Sequence, residues 1–354
     1  MKFLALLLLF VLPFCQAESN WPVVTWQQPF NYQSPSKAIH YHPISKASKP
    51  WRLCIAYPHL KDAYWLNVNY GMVEEARRLG IEIQIVDAGG YPNLQRQIEQ
   101  IESCADQDND ALIIGPVSYE DLTSSIEAIA QKMPVLATVN DIADQGISAK
   151  SGVSWQQMGE MLGQYLADKH PKGSKPVKIA WLPGPQGSGW VYFNHAGFMA
   201  GIENGAIEIV TTKWGDTGKE IQRTLVQEAI EENPHIDYIV GNALMAEAAI
   251  SILREKKLYN QTKILSTYLT PGVFRGIRRN RIVASVTDSP VLQGRLSIDQ
   301  AVRILEKAPY QKHVGPQVVL LNQDNINKLN LQHEFAPPSF HATFRVNANQ
   351  PTNK

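Results

Sequence analysis

From residue 51 onward, short runs of β-branched and apolar residues alternate with longer segments of helical period. RLCIAY (52 to 57) precedes the helical segment YGMVEEARRLG, and Gly, Pro, Asn or Asp marks most junctions. This alternation predicts parallel sheets with right-handed helical crossovers. The predicted strands span residues 52–57, 81–88, 111–117, 134–141, 150–154, 177–184, 206–215, 238–243, 262–269, 281–289 and 317–322.

The chain is also long enough for two such units. It has 354 residues, and DALIIG (110 to 115) and DYIVG (237 to 241) each follow a helical segment and lead into a polar loop. The sequence therefore predicts two doubly wound α/β lobes. Ligands of such sheets gather at the carboxyl ends of the strands, so two facing lobes would place these ends on either side of one cleft.

The first residues, MKFLALLLLFVLPFCQAES, combine Lys2, an apolar run and the small residue Ala17. The run is shorter than the roughly 20 residues of a spanning helix, so residues 1–17 are interpreted as a cleaved signal peptide. A lipidated Cys15 is the alternative, but Phe14 is too bulky for that cleavage site. Residues 18–50 are rich in Trp, Tyr and Pro without a sustained period and are interpreted as an extended aromatic-rich arm.

Charge and motifs exclude several classes of function. Lys plus Arg and Asp plus Glu both number 33, a balance that does not favour a nucleic-acid or membrane-surface partner. The loop GPQGSG (184 to 189) lacks the Lys and Ser/Thr of a phosphate-binding loop. The pair His40 and His42 has no neighbouring ligand at metal-site spacing. No cofactor, metal site or reaction is therefore predicted from motifs.

Several strings, in order, resemble the periplasmic sugar-binding proteins of the ribose-binding type over about residues 51–330. They include LCIAYPHLKDAYW, QIEQIESCADQDNDALIIGPV, MPVLATVND, PHIDYIVGNALMAEAA and VASVTDSPVLQGR. The resemblance implies the type I periplasmic binding protein fold with three crossovers between lobes. It places lobe 1 at 51–152 and 290–317, lobe 2 at 153–289 and 318–340, and a tail at 341–354.

The same resemblance implies the ligand-binding residues, which lie in loops after strands. Lobe 1 offers the stretch KDAYW and the turn after the fourth strand, where the Arg of the sugar binders is absent. In lobe 2, aromatic residues replace an Arg and a sugar-binding Asp. The implied ligand-binding residues are Asp62, Tyr64, Trp65, Tyr91, Asn140, Asp141, Trp155, Trp190, Tyr192, Asn242, Tyr268 and Asp288. A helix cap is the alternative role for Asp62, and core packing is the alternative for Trp65.

These replacements change the ligand that the pocket suits. Aromatic faces attract a trimethylammonium-like group by about 0.5 to 2 kcal/mol each, and loss of the arginines removes repulsion. The arm and the pocket resemble most closely the family members that bind trimethylamine N-oxide and report to a membrane sensor histidine kinase. The resemblance thus implies a non-catalytic periplasmic receptor for trimethylamine N-oxide that induces anaerobic N-oxide respiration, with the periplasmic domain of a sensor kinase as partner.

Two alternatives remain at this point. The first is the binding protein of an ABC importer for a sugar or quaternary amine. The second is an exported enzyme that uses Asp62, Asp141 and Asp288 as acid-base groups in the cleft.

The resemblance also bears on the two cysteines that would remain after cleavage, Cys54 and Cys104. In this family the second helix passes over the first strand, which would bring Cys104 close to Cys54. A disulfide is thus one expectation, and two buried thiols are the other.

Overall fold

A computed structural model describes residues 20–348. The predicted signal peptide, residues 1–17, and the end of the predicted tail, residues 349–354, lie outside the described residues. Between residues 20 and 348, none of the helices has the length and apolar character that crossing a membrane requires.

Strands and helices alternate along most of the described chain. The strands are β1 (Trp21–Trp26), β2 (Ser36–Tyr41), β3 (Arg52–Tyr57), β4 (Glu82–Asp87), β5 (Ala111–Ile114), β6 (Val135–Val139), β7 (Ala149–Gly152), β8 (Val177–Leu182), β9 (Ile207–Thr212), β10 (Tyr238–Gly241), β11 (Lys263–Ser266), β12 (Ala284–Thr287), β13 (His313–Pro316), β14 (Val319–Asn322) and β15 (Arg345–Val346). The helices are α1 (Ala63–Leu79), α2 (Leu94–Asp106), α3 (Thr123–Ala130), α4 (Trp155–Lys169), α5 (Gly189–Ile202), α6 (Lys219–Glu232), α7 (Ala243–Glu255), α8 (Pro271–Arg278), α9 (Pro290–Leu305) and α10 (Leu331–Glu334), with a short 3₁₀ turn at Ile326–Lys328.

The strands form two sheets, one in each lobe. The first has the order β15-β4-β3-β5-β6-β7-β13-β1-β2, and the second has the order β14-β12-β11-β10-β8-β9. Pairing is parallel in the interior of both sheets and antiparallel only toward their edges. All four residues of β5 and of β10 are buried, as expected when helices cover both faces of a parallel sheet. The structure confirms the predicted fold class.

The chain passes between the sheets at the three expected places, from β7 to α4, from β12 to α9 and from β13 to β14. A fourth passage was not expected. Beyond α10 the chain returns to lobe 1, where β15 pairs with β4. The side chains of Asn67 and Asn69 on α1 accept hydrogen bonds from the backbone N–H groups of Ala336 and Thr343, which holds this segment on lobe 1.

The arm also differs from its predicted extended form. β1 and β2 form an antiparallel hairpin, and β1 pairs with β13, so that the hairpin continues the first sheet. The rings of Trp21 and Tyr41 stack with centroids 5.6 Å apart and are buried. The strands could not be recognised from a local period because the partner of β1 lies almost 300 residues away in the sequence.

Cys54 on β3 and Cys104 on α2 form a disulfide, with Cα atoms 5.9 Å apart. Both residues are buried in the cluster between the first sheet and helices α2 and α3. The bond joins α2 covalently to β3 in the interior of the first sheet.

Candidate ligand-binding site

A small cavity of about 10 Å³, room for roughly one water molecule, lies between the lobes, at the carboxyl ends of their strands. It is bounded by six aromatic rings, a carboxylate, an amide and a hydroxyl. Its lining residues are Asp62, Tyr64, Trp65, Tyr91, Asn140, Trp155, Trp190, Thr217 and Tyr268. The six aromatic residues Tyr64, Trp65, Tyr91, Trp155, Trp190 and Tyr268 are here called the aromatic cage.

The first turn of α1 builds much of the lobe 1 wall. Asp62 is the N-cap of this helix, and its side chain accepts a hydrogen bond of 3.0 Å from the backbone N–H of Trp65. The cap therefore fixes the turn that carries Tyr64 and Trp65, while Asp62 itself lines the cavity. Gly115 makes room for the indole, since a β-carbon there would lie 2.4 Å from Trp65.

The lobe 2 wall comes from two helix starts and the loop after β11. Trp155 is the first residue of α4, and its indole Nε1 donates to the carbonyl of Val139 in lobe 1 at 3.0 Å. Trp190 lies in the first turn of α5, against Gly184. Tyr268 follows β11 and is buried. Helix starts place side chains at the cleft here because each follows a strand that ends at it.

The rings of the two walls contact each other across the cleft. The centroids of Tyr64 and Tyr268 are 5.2 Å apart, and those of Tyr91 and Trp190 are 6.0 Å apart. Within lobe 2, Trp155 and Trp190 are 5.2 Å apart. All of these pairs are tilted or edge-on, the arrangements that aromatic rings favour.

Two hydrogen-bond donors of the cage are available to a ligand. The indole Nε1 of Trp190 is buried without a partner. The hydroxyl oxygen of Tyr91 accepts a hydrogen bond of 3.1 Å from the amide of Asn140, which leaves the hydroxyl proton unused by that bond. Burial raises the pKa of Tyr91, so the hydroxyl keeps its proton at neutral pH. An acceptor atom that enters the cage can therefore accept a hydrogen bond from the indole N–H of Trp190 or the hydroxyl of Tyr91.

Asp288 supports the cage from behind and does not line it. The hydroxyl of Tyr64 donates to the Asp288 carboxylate at 2.5 Å, and the amide of Gln293 donates to the same oxygen at 2.6 Å. Burial raises the pKa of Asp288 to about 6, and the hydrogen bonds from Tyr64 and Gln293 act in the opposite direction. Asp288 lies between β12 of lobe 2 and α9, and its carboxylate orients the hydroxyl of Tyr64 in lobe 1.

Three other residues implied by the resemblance lie away from the cavity. Asp141 follows Asn140 directly, but its carboxylate faces Lys150 at 3.4 Å. Tyr192 is 68% exposed on the outer side of α5. Asn242 caps α7, and its amide donates to Leu182 and Gln222 in the interior of lobe 2. These three side chains are therefore not among those that line the cavity between the lobes.

Thr217 lines the cavity and was missed. It lies in the loop after β9, and its hydroxyl is 3.2 Å from Nε2 of His59 in lobe 1. Beside this contact, Nζ of Lys61 lies 2.6 Å from the Asp216 carboxylate, so a salt bridge also joins the two lobes. The position of this loop at the carboxyl end of a strand was the available signal, since its polar residues have no distinctive pattern.

The arrangement suits a small, partly cationic solute. Asp62 supplies negative charge, and the described lining contains no Lys or Arg. Burial lowers the pKa of His59, whose Nε2 is 3.8 Å from Asp62, so this imidazole is neutral at neutral pH. The cavity volume of about 10 Å³ is far below the roughly 300 to 1,000 Å³ of pockets for drug-sized ligands. Within residues 20–348, no group of three or more His, Cys, Asp or Glu side chains is placed to hold a metal ion.

Comparison with known proteins gives concordant results. The model of the periplasmic binding protein domain family matches residues 53–309. The periplasmic protein TorT of Escherichia coli K12 is 34% identical over 344 residues, which cover 96% of this chain and 95% of TorT.

Two solved structures are also similar. A solute-binding protein of an ABC transporter from Bradyrhizobium sp. BTAi1, with bound bis-tris, has a TM-score of 0.78 and 45% identity over 92% of this chain and 98% of that one. A complex of the TorS sensor domain with TorT in the presence of trimethylamine N-oxide has a TM-score of 0.76 and 39% identity, over 83% and 99% of the two chains.

Proposed function

Since this chain belongs to the family of periplasmic binding proteins, we propose that it is a receptor that binds trimethylamine N-oxide between its lobes and reports occupancy to a membrane sensor histidine kinase. The observation that carries the proposal is the aromatic cage, which combines six rings with one carboxylate and two available donors. The relationship to TorT and the TorS–TorT complex supports the kinase as partner and the induction of N-oxide respiration as outcome.

The cage distinguishes among methylated amines by charge and hydrogen bonding. The methyl groups of the N-oxide carry spread positive charge and suit the ring faces, with a contribution of about 0.5 to 2 kcal/mol from each well-placed ring. Its oxygen carries the negative charge and suits the N–H of Trp190 or the O–H of Tyr91. Trimethylamine lacks this oxygen. Glycine betaine would bring a carboxylate toward Asp62, and a sugar would leave many hydroxyls without partners.

Calorimetric titration with trimethylamine N-oxide, trimethylamine, glycine betaine and ribose tests the ligand. We expect saturable binding with the N-oxide bound most tightly. Saturable binding of ribose with no response to the N-oxide would refute the proposed ligand.

A transport role is the second candidate, because the Bradyrhizobium protein, at 45% identity, is a solute-binding protein of an ABC transporter. In that case the chain would deliver its ligand, a quaternary amine or a sugar, to a permease. Titration of the loaded receptor with the periplasmic domain of a TorS-type kinase from the same genome distinguishes the roles, since only the signalling role requires that complex.

The proposal includes export and the absence of catalysis. The apolar segment within residues 1–17 would direct the chain to the periplasm and be cleaved there. Of the three carboxylates considered for acid-base chemistry, only Asp62 lines the cavity. Asp141 faces Lys150, and Asp288 is occupied by Tyr64 and Gln293, so this set forms no acid-base pair around the ligand.

A further inference from the structure

His59 lies in the loop after β3, at a contact between the lobes, and is not among the residues that line the cavity. Its side chain is 1% exposed, and its Nε2 lies 3.2 Å from the hydroxyl of Thr217 in lobe 2. Its ring contacts the ring of Tyr91 in lobe 1 edge-on, with centroids 5.6 Å apart. One side chain behind the cavity therefore contacts a lining residue from each lobe.

A third neighbour of His59 is Asp62, which supplies the one carboxylate among the described residues that line the cavity. Oδ1 of Asp62 accepts the hydrogen bond from the backbone N–H of Trp65 that caps α1. Oδ2 is therefore the oxygen left to attract a positively charged ligand, and it lies 3.8 Å from Nε2 of His59. The ligand and the imidazole are thus placed to compete for one oxygen atom.

The second ring nitrogen of His59 determines how readily the ring accepts a proton. Nδ1 is buried without a hydrogen-bond partner. An imidazolium carries N–H groups on both nitrogens, so protonation of His59 leaves a buried donor unsatisfied, which costs about 1 to 3 kcal/mol. The structure therefore favours the neutral ring at neutral pH, and a proton enters only at lower pH.

Charged groups face His59 from each loop that packs against it. Lys61 and Asp62 follow it in its own loop, Asp216 lies in the loop after β9, and Asp87 ends β4. Burial lowers the pKa of His59, the three carboxylates act in the opposite direction, and Lys61 acts with burial. Because Lys61 and Asp216 pair with each other at 2.6 Å, Asp62 is the main partner for a proton on His59.

The two protonation states of His59 act differently on the ligand site. The neutral ring shares a hydrogen bond with the hydroxyl of Thr217, which joins lobe 2 to lobe 1, and leaves Oδ2 of Asp62 to the ligand. The imidazolium would pair with this oxygen and add a positive charge beside the cage, where it repels the methyl groups of a methylated amine. Each of the two binding events, proton and ligand, therefore disfavours the other.

We propose that His59 is a positioning residue of the ligand site whose proton competes with the ligand: the neutral ring holds Thr217 and leaves Asp62 free, whereas the imidazolium occupies Asp62 and weakens binding. The inference rests on the proposed function and extends it, since it makes occupancy of the receptor depend on the pH of the periplasm. A bound ligand lowers the pKa of His59 further. Affinity is thus highest above the ordinary histidine pKa of about 6.5 and falls at lower pH.

The test measures by calorimetry the Kd of trimethylamine N-oxide for the full-length mature receptor and for His59→Gln, at about pH 8 and about pH 5. Glutamine has an amide that can bond to Thr217, but it does not titrate. The quantity compared is the wild-type Kd divided by the variant Kd, because protonation of the N-oxide itself affects both proteins and cancels. His235→Gln is the matched control, since His235 is exposed on lobe 2. Urea denaturation at both pH values verifies that each variant is folded.

We expect the ratio for His59→Gln to rise about threefold or more from the higher to the lower pH, and the ratio for His235→Gln to stay within about 1.5-fold. A ratio for His59→Gln that stays constant or falls would overturn the inference and leave the proposed function intact. Absence of N-oxide binding to the wild type at both pH values would refute the proposed ligand itself, and the inference with it.

A second measurement needs no variant. Titration of the assigned His59 ring by nuclear magnetic resonance, in the wild-type receptor with and without trimethylamine N-oxide, reports its pKa directly. We expect the ligand to lower this pKa. An unchanged or raised pKa, or a ring that does not titrate above about pH 4.5, would overturn the inference even if His59→Gln did not fold.

Discussion

Two regions of the molecule combine aromatic rings with carboxylates, and they differ in where the positive charge comes from. In the hinge cluster, Nζ of Lys150 lies 3.4 Å from Asp141 and 3.7 Å from Asp144, and 5.6 Å from the ring centroid of Tyr32 in the N-terminal hairpin. The aromatic cage has a carboxylate, Asp62, and six rings but no such side chain among its lining residues.

The comparison shows what the cage lacks. In the hinge cluster the ammonium group of Lys150 satisfies the rings and carboxylates. It also joins the N-terminal hairpin, through Tyr32, to β7 and the loop after β6. The cage offers the same two kinds of partner to a group that the chain does not provide. A methylated cation or N-oxide would take the place in the cage that Lys150 takes in the hinge cluster.

The largest expected effect comes from removal of the internal cation. Lys150→Met would leave the buried Asp141 carboxylate without its ammonium partner. Breaking a buried ion pair from one side costs about 3 to 5 kcal/mol, so we expect a loss of this size in the free energy of unfolding, measured by urea denaturation at pH 7.

Lys132→Met is the matched control, because the side chains of Lys132 and its partner Asp106 are 57% and 72% exposed. This substitution should change the unfolding free energy by less than about 1 kcal/mol. An equally small change in Lys150→Met would show that the hinge cluster does not depend on its cation, and the comparison with the cage would fail.

Asp288 sharpens the comparison as a third case, a buried carboxylate held by the neutral donors Tyr64 and Gln293. Burial raises its pKa to about 6 in the folded protein, against about 3.9 in the unfolded chain. The folded state therefore retains a proton that the unfolded state releases, and the contribution of Asp288 to stability falls as the pH rises from about 4 to about 6.

In denaturation series at pH 4 and pH 7, Asp288→Asn should lose less stability than the wild type on going to the higher pH, by about 2 kcal/mol. Asp106→Asn, at an exposed site, should follow the wild type. Identical pH dependence in the wild type and Asp288→Asn would show that Asp288 does not retain its proton on folding.

Elements defined by a local sequence pattern could be predicted, whereas elements that depend on partners remote in sequence could not. The interior strands of both sheets could be predicted because each is a buried apolar run bounded by turn residues, as in β5 and β10. The hairpin β1–β2 and strand β15 could not, because their sequences show no sustained period and their attachment to the first sheet depends on β13 and β4, which are remote in sequence.

The site shows the same limit at the level of single residues. The resemblance indicated which loops face the cleft, and all six cage aromatics were among the expected residues. It did not separate Asn140, which lines the cavity, from Asp141, whose carboxylate faces Lys150. Nor did it separate Trp190 from Tyr192, because both lie in one helical turn and only the packing of α5 against lobe 1 determines which of them is inside.

A smaller effect should follow from removal of a donor from the cage. Trp190→Phe keeps an aromatic ring but removes the buried Nε1–H that has no partner in the structure. If this group donates to the N-oxide oxygen, the loss of a hydrogen bond to a charged group should weaken binding of trimethylamine N-oxide by about 1.5 to 3 kcal/mol in calorimetry.

Tetramethylammonium is the matched ligand, because it presents methyl groups and positive charge without the oxygen. Its affinity should change much less than that of the N-oxide in Trp190→Phe. Equal losses for the two ligands would assign Trp190 a role as a ring of the cage and exclude it as the donor.

The smallest expected effect concerns Lys61, the cation outside the cage. Its Nζ is 2.6 Å from Asp216 across the cleft, but its side chain is 37% exposed and that of Asp216 is 12% exposed. A partly solvated pair of this kind contributes about 0.2 to 1 kcal/mol, so Lys61→Met should weaken trimethylamine N-oxide binding by no more than that. Unlike the effect of Lys150→Met, this loss should shrink in about 1 M salt, where screening acts within roughly 3 Å.

A double-mutant cycle with Asp216→Ala isolates the pair. A salt-independent coupling above about 2 kcal/mol would mean that this pair, and not the cage, supplies much of the energy that holds the lobes together.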